Sequence, residues 1–385
     1  MPDRPDLPPW FWPCAAYLHI PFCEHHCGYC DFAVAAGQDH LIDLYVEAVG
    51  DELARIESPA PVETLFFGGG TPTYLSPDQL RRLLTVVNRW LPLRPGGEFS
   101  VESTPESITA DKVAVLADHG VNRVSLGVQS FRPDLLGRLD RIHSPAHVGP
   151  ALDRIRKRID NVSLDLIFGV PGQSVADWDA DLTAALAYAP NHVSTYGLTY
   201  EKGTPLWKRR EHGDVLPVPE ADELSMYELA MDRLPAAGLE QYEVSNFAQL
   251  GRRCRHNETY WANEAYFGFG VGAARYVMGR RELNRRNTAD YVRRMLAGES
   301  PTFQGEKLPP EESARETAAV QFRRSAGVVR GRFREQTGYD FDNLTGGRVA
   351  VYAAEGLLAD DGSTVCMTRR GRCVADSLAV KVVWG

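Results

Sequence analysis

The chain has 385 residues, of which 44% are hydrophobic and 24% are charged, as is typical of a globular protein with a packed core. Its net charge of −9 argues against a general affinity for nucleic acid, which requires a basic surface, so we expect no nucleic-acid partner. No segment has the composition of a membrane span, and the proline-rich start MPDRPDLPPWFWP does not resemble a signal peptide. Seven cysteines, three of them within eight residues, favour metal ligation over disulfides, so we expect a soluble, cytoplasmic protein.

The first 200 residues alternate between short apolar, β-branched runs and longer amphipathic runs. The short runs predict six strands, at residues 17–21, 62–67, 98–102, 122–128, 162–168 and 192–198. The longer runs predict helices at residues 41–56, 77–90, 110–119, 146–158 and 175–188. Ser76 before Pro77, and Thr109 before Asp111, are typical of helix starts.

Six strands, each followed by a helix or loop, predict an α/β fold with a parallel sheet and right-handed crossovers. Periodicity is compatible with a doubly wound sheet or with a partial TIM-like barrel. In both architectures ligands bind at the carboxyl ends of the strands. Polar residues fall at those ends: the cysteines after the first strand, residues 68–71 after the second, Glu102 in the third and Gln129 after the fourth.

The sequence pattern changes near residue 241. A segment rich in Asn, Arg, Tyr and Gly is followed by predicted helices at 288–297 and 310–325, and then by a tail with short helices and a final hairpin. We therefore divide the chain into a barrel (1–240), a middle segment (241–305) and a small, α-rich C-terminal domain (306–385).

The strongest chemical motif is formed by Cys23, Cys27 and Cys30, directly after the first predicted strand. Three closely spaced thiolates are soft ligands that suit an iron–sulfur cluster or zinc. A [4Fe–4S] cluster held by three cysteines leaves one iron open to a further ligand. The alternative is a zinc site completed by His25 or His26, but no second pair of cysteines with suitable spacing follows.

The run LHIPFCEHHCGYCDF resembles the oxygen-independent coproporphyrinogen III oxidase superfamily of radical SAM proteins, and within it the HemW-type heme chaperones. The resemblance implies a partial (β/α)6 barrel, a [4Fe–4S] cluster on the three cysteines, and S-adenosylmethionine (SAM) on the open iron. One electron from the cluster could then split the sulfonium and give a 5′-deoxyadenosyl radical.

The resemblance also implies a set of SAM contacts. Gly69, Gly70 and Thr71, in GGGTP, correspond to the segment that contacts the methionyl amino group, and glycines let the backbone approach a ligand closely. Glu102 corresponds to a carboxylate that faces SAM. The remaining implied contacts are Tyr17, Tyr29, Gln129, Arg141 and Asp165. Asp165 lies inside an apolar strand, so we expect it to have a polar partner.

Two features favour the HemW-type branch. Coproporphyrinogen oxidases proper have a further cysteine two residues after the third ligand, where this chain has Phe32. In addition, His256, Asn257, Tyr260 and Trp261 form an H-N-x-x-Y-W motif that resembles the HemW stretch. A neutral imidazole can ligate heme iron, so His256 is a candidate heme ligand. The alternative is that His256 is a hydrogen-bonded loop residue and that the aromatic residues belong to the core.

The glycine-rich stretch 270–276 departs from the family, which usually has G-A-H here, because Ala274 replaces the histidine. The overlapping glycine-rich run 268–273 superficially fits a dinucleotide fingerprint. It lacks a convincing strand before it and helix after it, so we interpret it as a turn.

Our leading hypothesis is a heme chaperone of porphyrin metabolism that passes heme to an unidentified acceptor protein. A reducing partner for the cluster is also expected. The alternatives are a radical SAM enzyme that decarboxylates a porphyrinogen, a related class C-like radical SAM methylase, and a zinc-stabilised binding module. The sequence leaves open whether the protein is an enzyme.

Overall fold

The computed structural model describes residues 7–385. Its strands are β1 (Ala15–Ile20), β2 (Phe22–Cys23), β3 (Ala35–Ala36), β4 (Val62–Gly69), β5 (Leu93–Ser103), β6 (Arg123–Gln129), β7 (Asn161–Phe168), β8 (His192–Gly197), β9 (Glu240–Gln241), β10 (Asn246–Ala248), β11 (Tyr266–Phe269), β12 (Ala274–Val277), β13 (Arg280–Asn284), β14 (Thr302–Glu306), β15 (Val328–Val329), β16 (Leu358–Asp360) and β17 (Thr364–Met367).

The helices pack around these strands. They are α1 (Ile42–Ala54), α2 (Pro77–Trp90), α3 (Ala110–Asp118), α4 (Pro133–Arg138), α5 (Val148–Arg156), α6 (Val175–Ala187), α7 (Pro205–Glu211), α8 (Glu220–Ala236), α9 (Arg255–Trp261), α10 (Thr288–Leu296), α11 (Pro310–Gln321), α12 (Arg330–Thr337), α13 (Phe341–Thr345), α14 (Arg348–Ala354), α15 (Arg369–Arg372) and α16 (Ala375–Val383).

The six predicted strands form the centre of one large sheet. They lie side by side in chain order as β1, β4, β5, β6, β7 and β8, and each is parallel to the next. A doubly wound sheet reverses its strand order at a switch point, whereas this order runs in one direction. The sheet is open, with β14 at one edge and β9 at the other. The expected partial (β/α)6 barrel is therefore confirmed.

Local sequence determines where the main helices begin. The Ser76 side chain accepts from the backbone N–H of Gln79 (3.3 Å), while the Gln79 side chain accepts from the N–H of Ser76 (3.0 Å). This reciprocal pair, with proline at the first helical position, begins α2 at the predicted residue. Thr109 caps α3 with a single hydrogen bond, accepted from the N–H of Lys112 (3.4 Å).

Three local details differ from the sequence predictions. The helix predicted at 146–158 begins with a 3-10 turn at Pro145–His147, followed by α5. Helices α4, α7 and α8 were not predicted; α4 and α7, with six and seven residues, are too short for a clear period. The C-terminal hairpin of β16 and β17 exists but is not the last element, because the apolar side of α16 packs into the core after it.

The glycine-rich run begins at the end of β11 and connects it to the antiparallel strand β12. A strand therefore does precede the run, contrary to the prediction, but a strand and not a helix follows it. Gly270 and Gly272 adopt positive φ angles of 94° and 67°, a conformation that glycine adopts without a steric penalty.

The described part of the chain, residues 7–385, has two large hydrophobic cores. The first lies under the main sheet and includes residues from Trp12 to Met295, and the second joins residues from Ala314 to Val383. Strands β10 to β14 of the middle segment extend the main sheet at both edges. None of the helices described within residues 7–385 is long and apolar enough to cross a bilayer.

Candidate functional site

A cavity of about 1060 Å³ opens at the carboxyl ends of the six parallel strands. Every candidate site residue from the sequence lines it: Tyr17, Cys23, Cys27, Tyr29, Cys30, Gly69, Gly70, Thr71, Glu102, Gln129, Arg141, Asp165 and His256. Residues separated by more than 200 positions in sequence therefore share one site.

The three cysteines lie at the end of β2 and in the loop that follows it. They are free thiols, half-buried, and the backbone N–H of Cys30 donates to the carbonyl of Cys27 (3.2 Å) to form a tight turn. Cys23 Sγ lies 3.3 Å from the Thr71 hydroxyl, and a guanidinium N–H of Arg141 donates to Cys27 Sγ (3.6 Å). The loop thus presents all three sulfurs to the cavity with polar neighbours.

Burial favours the protonated thiols of Cys23 and Cys30 in the absence of a metal. It raises the pKa of Cys23 to about 12 and that of Cys30 to about 11, although the Thr71 hydroxyl and the Phe32 N–H each oppose the shift. Metal binding must therefore displace protons, as it generally does at thiolate sites.

Within residues 7–385, no three His, Cys, Asp or Glu side chains are arranged to hold one metal ion. A [4Fe–4S] cluster binds each thiolate through a different iron, so its cysteines need not meet at one point.

Gly69 and Gly70, at the end of β4, are closely surrounded by other backbone and side-chain atoms. A β-carbon on Gly69 would lie 2.4 Å from the His19 ring, and one on Gly70 would lie 2.6 Å from the carbonyl oxygen of Pro21. Gly69 also has a φ of 109°. These positions accept only glycine, and the bare backbone borders the cavity beside the cysteines.

Two half-buried carboxyl groups, Glu102 and Asp165, also line the cavity. Glu102 accepts a hydrogen bond from the N–H of Gly69 (3.0 Å), and burial together with the charge of Asp165 raises its pKa to about 7. Asp165 accepts hydrogen bonds from the hydroxyls of three serines, Ser125 (2.9 Å), Ser163 (3.2 Å) and Ser194 (2.7 Å). The polar partner expected for Asp165 is therefore present.

The remaining predicted contacts differ in how firmly they are held. Arg141 also donates to the carbonyl of Gly127 (2.8 Å), and Gln129 adopts a positive φ of 65° at the end of β6. The Tyr17 hydroxyl lies 3.1 Å from Nδ1 of His19. Tyr29 packs on a small apolar cluster that includes Leu135 and Ile167, so it has a packing role whatever it contacts in the cavity.

His256 lies on helix α9 and is completely buried, with 0% exposure. Its Nδ1 lies 2.9 Å from the Thr64 hydroxyl and its Nε2 lies 2.8 Å from the Tyr260 hydroxyl. Burial lowers its pKa to about 3, so the ring is neutral at physiological pH. Because both nitrogens are engaged, this geometry does not support heme ligation by His256. It agrees better with the alternative of a hydrogen-bonded histidine, although the residue is helical and its partners are side chains.

Sequence reasoning did not select several residues that line the same cavity, among them Phe66, Arg123, Tyr196 and Tyr266. Arg123 is 2% exposed, and its Nε has no hydrogen-bond partner among the described residues. An arginine at the start of an otherwise apolar strand was the available signal for it. Phe66 and Tyr266 lie on strands and resemble ordinary core residues in the sequence.

Comparisons with known proteins agree with this architecture. Residues 17–185 match the family model described as the radical SAM superfamily, and residues 308–374 match the HemN C-terminal domain. In structure, the chain is similar to coproporphyrinogen III oxidase (HemN) from Escherichia coli, with a TM-score of 0.84 over 98% of this chain and 91% of that chain. At 21% identity this similarity shows the fold alone.

Similarity in sequence is more specific. The chain is 37% identical over 370 residues to the heme chaperone HemW of Bacillus subtilis (strain 168), covering 94% of this chain and 97% of the relative. It is 36% identical over 381 residues to the heme chaperone HemW of Mycobacterium tuberculosis (strain ATCC 25618 / H37Rv), covering 95% and 94%. On this evidence the chain belongs to the HemW family of radical SAM proteins.

Proposed function

We propose that this protein is a heme chaperone that binds heme and passes it to an acceptor protein. We further propose that it carries a [4Fe–4S] cluster on Cys23, Cys27 and Cys30, and SAM beside the cluster. The observation that carries the proposal is the meeting of all thirteen predicted residues in one cavity, in a chain related over nearly its whole length to proteins named heme chaperones.

The donor set fits the two cofactors. Three free thiols can bind three irons of a cluster and leave the fourth open, while the glycine-only backbone at Gly69 and Gly70 leaves room for a ligand. The carboxyl group of Glu102 is positioned to accept hydrogen bonds from an amino group, and Asp165 is fixed by its serines. When bound, the cluster and SAM supply one-electron chemistry, for which a reducing partner is needed.

The test is heme binding and heme transfer by the full chain, reconstituted anaerobically. We expect a saturable change in the Soret band on heme titration, followed by transfer of heme to the apo form of a b-type cytochrome. Absence of saturable heme binding by protein with an intact cluster would refute the proposal.

A second measurement distinguishes the chaperone from the alternative of an enzyme that decarboxylates a porphyrinogen. Incubation of the reconstituted protein with reductant, SAM and coproporphyrinogen III should give no vinyl product if the chain is a chaperone. Vinyl product formed at many turnovers per chain would favour porphyrinogen decarboxylation instead. Phe32, at the position of the oxidases' further cysteine, is the sequence feature that favours the first outcome.

A further inference from the structure

Aromatic rings that contact one another in series form part of the cavity wall. Tyr17 and Phe66 are register partners on β1 and β4, and their rings stack with centroids 6.2 Å apart. The series continues from Phe66 to His256 (5.2 Å), from His256 to Tyr260 (4.7 Å) and from Tyr260 to Tyr266 (4.6 Å). All five residues line the cavity, and we call them the aromatic wall.

Four of the five residues of the aromatic wall are more exposed to solvent than His256. Tyr17, Phe66, Tyr260 and Tyr266 are half-buried, so parts of these residues remain accessible, whereas His256 is fully buried. For His256 to bind an iron, it would have to break a hydrogen bond to Thr64 or to Tyr260 and leave its stacking position on Phe66. Breaking a buried hydrogen bond leaves a polar group unsatisfied, which is unfavourable.

The position that follows the glycine-rich run offers no replacement ligand. Ala274, at the position where the family resemblance implies a histidine, also lines the cavity, and its methyl side chain has no atom that can ligate iron.

We propose that the aromatic wall binds the porphyrin ring of heme through ring contacts, and that His256 positions the wall instead of ligating the iron. This inference rests on the proposed heme-binding function and specifies how heme is held. Aromatic pairs prefer offset-stacked or edge-to-face contacts, which add to the stabilisation from buried area. A flat macrocycle that lies against the wall can make several such contacts with the exposed parts of these four residues. Because these contacts involve the porphyrin and not the metal, binding should not depend on iron.

The test compares heme with metal-free protoporphyrin IX, each titrated into the reconstituted full chain. We expect the two dissociation constants to agree within about threefold, because the shared ring supplies the contacts. His256→Gln, whose amide can still hydrogen-bond to Thr64, should leave the Soret maximum of bound heme unchanged. Tyr266→Leu should weaken both porphyrins by about tenfold, since it removes an aromatic contact.

Phe303→Leu is the matched control, because Phe303 is 61% exposed on β14 and is not among the cavity-lining residues. It should change neither affinity, and SAM binding in each variant checks that the fold is intact. Three outcomes would overturn the inference: binding of heme without protoporphyrin IX, a Soret shift in His256→Gln, or unchanged affinities in Tyr266→Leu. If wild type binds neither porphyrin, the proposed heme chaperone function itself fails.

Discussion

Each cysteine sulfur in the candidate cluster site lies next to a different hydrogen-bond donor. The Thr71 hydroxyl faces Cys23, the Arg141 guanidinium donates to Cys27, and the backbone N–H of Phe32 donates to Cys30. Once Cys23 is deprotonated, only Thr71 can donate within that pair. Hydrogen bonds to ligand sulfurs stabilise added negative charge and are one of the factors that set the reduction potential of a cluster.

Thr71→Val therefore should lower the midpoint potential of the bound cluster, because valine has a similar shape and no hydroxyl. Thr71→Ser keeps the hydroxyl and should retain a potential close to that of wild type. A redox titration followed by EPR measures both. If valine and serine give the same potential, the Thr71 hydroxyl does not act on the cluster.

The titration of Glu102 makes the free energy of unfolding of the ligand-free protein depend on pH. Its pKa rises from 4.5 to about 7 on folding, chiefly through burial. The folded state therefore holds a proton that the unfolded state releases between these values. The contribution of this group to stability is present in full below pH 4.5 and is lost as the pH rises through 7.

We expect Glu102→Gln to raise the free energy of unfolding at pH 8 by about 1–3 kcal/mol, because it removes a buried charge. At pH 5 the difference from wild type should shrink, since the wild-type carboxyl group is then protonated when folded. Urea denaturation at both pH values, without cofactors, measures this. An equal difference at the two pH values would show that Glu102 is not the titrating group.

Helix α9 depends on a residue from another element for its first turn. Cys254, at its N-cap position, makes no side-chain cap. Instead the carboxylate of Glu98, on β5, accepts hydrogen bonds from the backbone N–H groups of Arg255 (3.0 Å) and His256 (3.3 Å). A negative group at this end also interacts favourably with the helix dipole. Glu98 thereby holds the helix that carries His256 and Tyr260.

Glu98→Ala should cost about 1–3 kcal/mol of stability, because it leaves buried donors without an acceptor. Amide hydrogen exchange in residues 255–261 should accelerate. Glu63→Ala is the control, since Glu63 forms an exposed ion pair with Arg255, and such pairs contribute about 0–1 kcal/mol. Equal effects of the two substitutions would contradict the role assigned to Glu98.

The partners of α2 lie close to it in the sequence and those of α9 lie far away. This difference explains why the start of α2 was predictable and the environment of His256 was not. The cap of α2 lies within four residues, so Ser76, Pro77 and Gln79 mark its start in the sequence. The partners of α9, Glu98 and Thr64, lie more than 150 residues away. The motif could therefore indicate a site at His256 but not that both of its ring nitrogens are occupied.

At the scale of the molecule, the barrel core and the C-terminal core are separate clusters joined by polar contacts. Asn263 donates to Thr317 (2.9 Å), and the Gln321 and Gln336 side chains both donate to the carbonyl of Ala262 (each 3.1 Å). These contacts attach the C-terminal core to the end of α9, beside the cavity. The order of six strands and the position of the cysteine loop after the first strand were predictable, because each follows from local pattern. The contacts between rings of the aromatic wall, which are far apart in sequence, were not predictable, because they depend on strand register.

Phe333→Ala should destabilise the C-terminal core by about 3–5 kcal/mol, because the side chain is fully buried there. SAM binding should be retained, since Phe333 does not line the cavity. Val351→Ala, at a site 55% exposed on α14, should have an effect within about 0.5 kcal/mol. Thermal unfolding and SAM binding measure these effects, and loss of SAM binding in a folded Phe333→Ala protein would show that the two cores are coupled.

The most direct test of the proposed cofactor site is metal and sulfide analysis with EPR of the anaerobically reconstituted chain, before and after SAM is added. The account predicts iron and acid-labile sulfide in equal amounts, a reduced-cluster signal that SAM perturbs, and loss of both in a variant with Cys23, Cys27 and Cys30 changed to alanine. Zinc without iron or sulfide, or a cluster signal that SAM leaves unchanged, would contradict it.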